Sequence, residues 1–240
     1  MAAAQGTFER YEIKYKVTRA QKAAMIEAMK EHMIPDPHGN STIQNVYFDT
    51  PSWRFIRASL EKPVYKEKLR IRCYGNAKKD TPVFIERKVK YDGIVYKRRI
   101  VSNEKETMDY LCEGKPLAEK SQMSREFDYW LKTNPDLRPA MFISYEREAF
   151  FDKEDPDFRV TFDKNILWRD YDLCLHHGAY GTSILNPGES LMELKVAGAL
   201  PLWMVRILTE NNLYKTSFSK YGTAYTTMMT HSDDLAKKLA

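Results

Sequence analysis

The chain has 240 residues, of which 43% are apolar and 30% charged: enough for a folded core, and too apolar for a disordered segment. No run approaches the ~20 apolar residues of a membrane-spanning helix. Met1 to Phe8 lacks the basic-then-apolar order of a signal peptide, and the three cysteines, Cys73, Cys112 and Cys174, lie far apart with no Cys-x-x-Cys. These features argue against secretion, membrane spanning, a disulfide framework and a zinc site; a soluble cytoplasmic protein is expected, and its net charge of +5 favours anionic partners.

There is no repeat and no linker long enough to separate one domain from another. The expected organisation is one domain over residues 7–230, between a disordered start at 1–6 and a polar tail at 231–240.

The first strand is expected over Glu9 to Val17, where Arg10, Glu12, Lys14 and Lys16 alternate with Tyr11, Ile13, Tyr15 and Val17. Thr18 with Gln21 three residues on makes a capping box, so a helix follows, with Ile26, Met29 and Met33 on one face and Pro35 and Pro37 ending it. Asn45 to Asp49 is a strand with Tyr47 and Asp49 on one face. Val64 to Tyr74 sets Lys66, Lys68, Arg70 and Arg72 against Tyr65, Glu67, Leu69, Ile71 and Cys73. Pro82 to Lys90 sets Glu86, Lys88 and Lys90 against Val83, Ile85, Arg87 and Val89. Asp92-Gly93 then turns the chain into Ile94 to Ile100, where Lys97 and Arg99 oppose Ile94, Tyr96, Arg98 and Ile100.

Helices are expected from Ser102 to Cys112, stopped by Gly114, and from Glu119 to Lys132. Three strands follow. Met141 to Phe150 carries Tyr145 and Arg147 on one face, Phe158 to Asp163 carries Arg159, Thr161 and Asp163, and Leu191 to Val196 carries Glu193 and Lys195. Pro201 opens a helix to about Asn211, and the last runs from Ser219 to Met229.

The polar faces of these eight strands hold fourteen cations and five acids, a net of +9 against +5 for the whole chain. Solvated faces normally mix both signs, because like charges directly opposite on neighbouring strands weaken the pairing. A one-sign face on strand after strand calls for an anion. Helices covering the apolar faces force the charged faces together, so an α+β fold is expected: an eight-stranded antiparallel β-barrel tunnel with a basic lumen, flanked by helices. Among the acids, Glu193, Glu12 and Glu86 are candidates for holding a divalent metal between phosphates.

These residues resemble the tunnel triphosphate metalloenzymes, and within them the VTC (vacuolar transporter chaperone) polyphosphate polymerase domain. The resemblance rests on Arg10-Tyr-Glu-Ile-Lys14, Val46-Tyr-Phe-Asp-Thr50, Lys68-Leu-Arg70-Ile-Arg72, Phe84-Ile-Glu-Arg-Lys88, Ser144-Tyr-Glu-Arg147, Phe158-Arg-Val-Thr-Phe-Asp163, Leu191-Met-Glu193-Leu-Lys195 and Ser217-Phe-Ser-Lys220, in the family's order from about residue 8 to residue 225. It implies phosphate-gripping roles for Lys14, Arg70, Arg72, Lys88, Arg147, Arg159 and Lys220, all placed at the reacting phosphates. The resemblance also implies that Tyr145 and Ser219 assist in substrate binding and that Glu193 is the principal ligand of Mn²⁺ or Mg²⁺; Lys66, Lys68 and Lys195, on the same polar faces, are expected to bind substrate with them. The wider group's first Glu is Arg10 here, and Leu191 stands where a second metal-binding Glu would be.

The expected activity is therefore transfer of the γ-phosphoryl of ATP to phosphate or to a polyphosphate chain end. A triphosphate hydrolase on the same scaffold is the alternative, and a non-catalytic polyphosphate-binding module stands in another class. The expected partners are ATP, inorganic polyphosphate, triphosphate and phosphate, with a membrane-anchoring partner chain left open. Nucleic acid is not expected, since most Tyr and Phe take the parity opposite to the cations. His176-His177 reads as a pair of loop histidines, Met25, Met29 and Met33 as core, and Ser219 lacks a legible His-Asp arrangement.

Overall fold

A computed structural model describes residues 11–37, 39–78, 81–92 and 94–239, with 232–239 described as backbone alone. The expected disordered start, the beginning of the first strand with Arg10, and Gly93 of the expected turn lie outside the described residues.

In chain order the elements are β1 (Tyr11–Val17), α1 (Arg19–Met29), β2 (Met33–Pro35), β3 (Ser41–Asp49), α2 (Arg54–Leu60), β4 (Tyr65–Tyr74), β5 (Val83–Tyr91), β6 (Ile94–Ser102), α3 (Glu104–Glu113), α4 (Gln122–Lys132), β7 (Arg138–Asp152), β8 (Arg159–Arg169), β9 (Thr182–Ser183), β10 (Ser190–Val196), α5 (Leu202–Glu210) and α6 (Lys220–Leu239). All eight expected strands are present, and the main strands pair in the order β1-β10-β8-β7-β3-β4-β5-β6. The fold is α+β on an antiparallel sheet. Among the described residues no pairing joins β1 to β6, so the sheet is not closed and the hydrogen bonds do not build the expected eight-stranded barrel. Alternation specifies which face a side chain takes. It says nothing of whether two particular edge strands pair, and helices cover the apolar face of an open sheet equally well.

The backbone groups into two compact units. The first comprises Met1–Thr42, Tyr145–Ile166 and Leu185–Phe218. Here β1, β10 and β8 pair antiparallel, and the apolar parity of each packs into one core: Tyr15 and Val17, Met192, Leu194 and Val196, and Val160 and Phe162, closed by Met25 and Met29 of α1 and Met204, Ile207 and Leu208 of α5. The α1 cap is as expected, with Thr18 Oγ1 accepting from Gln21 N (3.2 Å) and Gln21 Oε1 accepting from Thr18 N (3.0 Å). Met33, expected on the helix, instead opens β2, which pairs with Phe150 to Asp152 of β7. Pro35 disfavours helical backbone at Ile34, and strand pairing takes the segment over.

The second unit comprises Ile43–Ser144, Leu167–Ile184 and Ser219–Ala240. Its strands β3, β4, β5 and β6 pair antiparallel in sequence. Val46, Phe48, Leu69, Ile71, Val83 and Ile85 form its core with Tyr110 and Leu111 of α3 and Phe127 and Trp130 of α4. Asn103 caps α3 by accepting from Glu106 N (2.9 Å), and Gly114 ends it at φ 67°, a left-handed conformation that glycine adopts without strain. Ser121, not Glu119, starts α4, through reciprocal bonds with Ser124. The short α2 was not expected. Its amides at Phe55 and Ile56 bond to the carboxylate of Asp49 (2.9 and 3.0 Å), a cap supplied from the end of β3. The backbone of α6 runs on to Leu239, past the expected end at Met229 and into the expected tail.

Candidate functional site

The polar parity gathers the predicted cations into two clusters, one in each unit. In the second unit the antiparallel register places Tyr47, Arg70, Glu86 and Arg99 in one cross-strand row. The next row is Lys68, Lys88 and Lys97, and beyond it Lys66 stands opposite Lys90. Residues directly opposite on neighbouring strands bring their side chains close together, so this register concentrates positive charge on one face of the sheet.

Glu86 organises the cluster. It is 1% exposed and accepts from Arg70 Nε (2.9 Å) and Nη2 (2.7 Å), from Arg99 Nε (2.7 Å) and from Lys97 Nζ (2.8 Å), with Arg72 Nε at 3.9 Å. Burial would raise the pKa of its carboxyl, but Arg70, Arg72 and Lys97 outweigh burial and hold it well below the usual carboxylate range. One carboxylate thus stands among four cations. Lys97 is itself pushed down by burial against the pull of Glu86. The positive field also reaches Tyr74, whose phenol lies below its ordinary range despite burial because Arg72 and Arg99 lie beside it.

Neutral groups hold the guanidiniums in place. Arg70 Nη1 donates to the Tyr47 hydroxyl (3.1 Å), and Arg72 Nε donates to Asn45 Oδ1 (2.9 Å), whose amide in turn donates to the Ile143 carbonyl (2.9 Å). Ser219 caps α6, accepting from Gly222 N (3.1 Å) and from Lys68 Nζ (3.0 Å). A Cβ at Gly222 would lie 3.2 Å from the Ser219 hydroxyl, so glycine leaves that hydroxyl room. Tyr221 stacks on Tyr47 with ring centroids 4.4 Å apart and donates to Asp49 (2.9 Å); burial and that carboxylate drive its phenol well above the ordinary range. The same strand end therefore anchors α2 and the start of α6. Lys220 stands at that start.

In the first unit the register sets Lys14 opposite Glu193 and Glu193 opposite Thr161, and sets Glu12 opposite Lys195 and Lys195 opposite Arg159. Glu193 is 7% exposed, with Lys195 Nζ 3.3 Å and Lys14 Nζ 3.7 Å from its oxygens, and Lys14 also donates to the Phe218 carbonyl (3.0 Å). Arg147 makes a two-pronged bond to fully buried Asp163 (2.6 and 2.8 Å) and lies over the Tyr145 ring. Burial would lower the Arg147 pKa, but Tyr145, Asp163 and Glu193 raise it well above the usual value. Arg159 lies in the row with Lys195 and Glu12; its Nε donates to the Pro156 carbonyl (3.4 Å) and its guanidinium covers Phe151.

The three acids weighed for a metal differ in their surroundings. Glu193 lies opposite Thr161, whose buried hydroxyl has no hydrogen-bond partner among the described residues. A carboxylate in one cross-strand row with an unsatisfied hydroxyl offers oxygen donors of the kind Mn²⁺ or Mg²⁺ takes, and Lys14 and Lys195 lie farther from it than Arg70 and Lys97 lie from Glu86. Glu12 stands one register step away, opposite Lys195. Glu86 has its oxygens directed at four cations, an arrangement that opposes a further positive ion.

Sequence reasoning did not include Asn45, Tyr47, Tyr74, Asp163 or Arg99 among the site residues. Parity was the available signal, since Asn45 and Tyr47 share the face that meets Arg72 and Arg70. His176, read as a loop histidine, contacts Glu104 and lies 3.9 Å from Cys174 Sγ.

The family model of the VTC domain matches residues 9–229. A solved structure from Bacillus halodurans, provisionally assigned as an adenylate cyclase, is similar at a TM-score of 0.55 and 13% identity, over 90% of this chain and 96% of its own. A Hippeastrum protein, provisionally an adenylyl cyclase and described as having a dominant triphosphatase activity, is similar at a TM-score of 0.51 and 15% identity, over the same shares. At these identities the likeness is one of fold. A search of curated proteins finds no match.

Proposed function

Because the chain belongs to the VTC domain family, we propose that it is a metal-dependent phosphotransferase that extends inorganic polyphosphate from ATP. The observation that carries this reading is the gathering of Arg70, Arg72, Lys97 and Arg99 about Glu86, with Lys68 and Lys88 on the same sheet face, a density of cations that suits a polyanion. In the reaction, an oxygen of phosphate or of a chain-end phosphate attacks the γ-phosphorus of ATP. The bond from that phosphorus to the β–γ bridging oxygen breaks, and ADP leaves.

Phosphoryl transfer asks the protein mainly to position the phosphates and to neutralise developing charge. Lys14, Arg70, Arg72, Lys88, Arg147, Arg159 and Lys220 serve at the reacting phosphates. Lys66, Lys68, Lys195, Tyr145 and Ser219 bind the flanking phosphates. Glu193, with Glu12 in support, would hold Mn²⁺ or Mg²⁺, which supplies Lewis-acid polarisation of a phosphoryl oxygen. Glu86 keeps the arginine side chains ordered and takes no metal. We take residues 7–230 as one functional domain working in the cytoplasm, where ATP is supplied; among the described residues no helix is long and apolar enough to cross a membrane.

Triphosphate hydrolysis, with water as the acceptor, is the second reading; the likeness in fold to the Hippeastrum protein favours it. Incubation with ATP, Mn²⁺ and a short polyphosphate primer, followed by separation of products by chain length, distinguishes the two. Long chains are expected. Cleavage of triphosphate to pyrophosphate and phosphate, with no chain growth, would replace the polymerase by the hydrolase. Binding of polyphosphate without turnover of either kind would reduce the protein to a binding module.

A further inference from the structure

Within the second unit, the segment 170–180 that follows β8 is folded back on a single buried side chain. Arg169, 1% exposed, donates from Nε to the Asp172 carbonyl (3.0 Å), from Nη1 to those of Gly178 (3.2 Å) and Tyr180 (3.0 Å), and from Nη2 to that of Cys174 (3.2 Å). Its guanidinium lies between the rings of Phe142 (3.5 Å) and Tyr180 (4.0 Å). The segment is thereby set in one conformation that turns Cys174 and His176, two residues apart, toward Glu104 at the start of α3.

Glu104 is 8% exposed. Its Oε1 accepts from Leu175 N (2.9 Å) and lies 3.7 Å from Cys174 Sγ. Its Oε2 is buried without a well-directed hydrogen bond and lies against His176 Nδ1. A buried carboxylate oxygen in that state is costly unless a cation serves it. The Cys174 sulfur is 3.9 Å from His176 Nδ1, and the ligand atoms of all three residues lie within 4.8 Å of one another. Tetrahedral coordination with a metal–sulfur bond of about 2.3 Å and a metal–nitrogen bond of about 2.0 Å puts S and N about 3.5 Å apart, so small side-chain rotations that bring Cys174 toward His176 and part His176 from Glu104 form the site.

We propose that Glu104, Cys174 and His176 form a binding site for a borderline-soft divalent metal of the zinc class, which fastens the 170–180 segment to α3 and leaves one coordination position to water. A thiolate, a carboxylate and a neutral imidazole carry two negative charges, matching a divalent ion, and the thiol proton goes to solvent as the metal binds. Thiolate and imidazole select zinc over Mn²⁺ or Mg²⁺, so this site differs in chemistry from the oxygen donors at Glu193.

Cobalt(II) is the probe, added to the full chain purified under reducing conditions. One equivalent is expected to give a thiolate-to-cobalt charge-transfer band in the near ultraviolet, which Zn²⁺ displaces. The band should vanish in Cys174→Ser and persist in Cys112→Ser and Glu193→Gln. His176→Ala, at a partly exposed ring, should weaken cobalt binding by more than the about 10–100-fold typical of outer-shell changes, with an unchanged circular dichroism spectrum. Absence of the band in the wild-type chain, or a band unaltered in Cys174→Ser, would overturn the proposal.

Discussion

Glu86→Gln removes the single carboxylate to which four cations turn. Glu86 is 1% exposed, and its bonds to Arg70, Arg99 and Lys97, with Arg72 nearby, leave a local charge of +3; the variant raises that to +4 and leaves Gln to donate toward guanidiniums that also only donate. Removing one partner of a buried ion pair costs about 3–5 kcal/mol. For a chain of this length that corresponds to a fall in Tm of roughly 6–20 °C. The pH dependence has a definite sign. The folded-state carboxyl sits below its ordinary value of 4.5, so its stabilising contribution is present above that value and fades as the pH drops through the depressed one. The wild-type chain should therefore lose stability between pH 5 and lower pH in a way that the variant does not, bringing the two together in acid. Urea unfolding at pH 7 and at pH 3.5, with and without tripolyphosphate, measures this. The anion should restore more stability to the variant than to the wild type, because it replaces the missing negative charge. A variant within 1 kcal/mol of wild type at pH 7, and equally insensitive to tripolyphosphate, would refute the organising role of Glu86.

Arg70→Ala and Arg72→Ala should each weaken triphosphate binding by about 2–5 kcal/mol, read by calorimetry; unchanged affinity in both would remove these residues from the site. Lys88→Ala should weaken the anion site without unfolding the chain. Affinity for polyphosphate should fall, because one cation of the row with Lys68 and Lys97 is lost. Unchanged affinity in a fluorescence titration with polyphosphate would remove Lys88 from the site. Glu193→Gln should abolish Mn²⁺-dependent turnover while leaving phosphate binding nearly intact, and a wild-type response to Mn²⁺ titration would sink the metal assignment.

Period-two alternation made all eight long strands legible, because a side chain on a half-buried strand has only two directions to choose between and burial penalises the wrong one. The same parity, read from the residues alone, puts Arg70 on one face with Arg72 and Glu193 on one face with Lys195. The capping box at Thr18 was likewise readable, being a contact between residues three apart. What stayed hidden depends on partners distant in sequence. Helix α2 forms because Asp49 caps it from the end of β3, and Met33 leaves the first helix because β7 offers it a strand partner. The convergence of four cations on Glu86 follows from the β4–β5–β6 register, and that of Cys174 and His176 on Glu104, some 70 residues away in the chain, from the fold-back on Arg169. Alternation fixes the face that each residue takes. Which residues meet on that face, and whether the outermost strands pair, is decided by register and long-range packing, and neither leaves a local pattern in the chain.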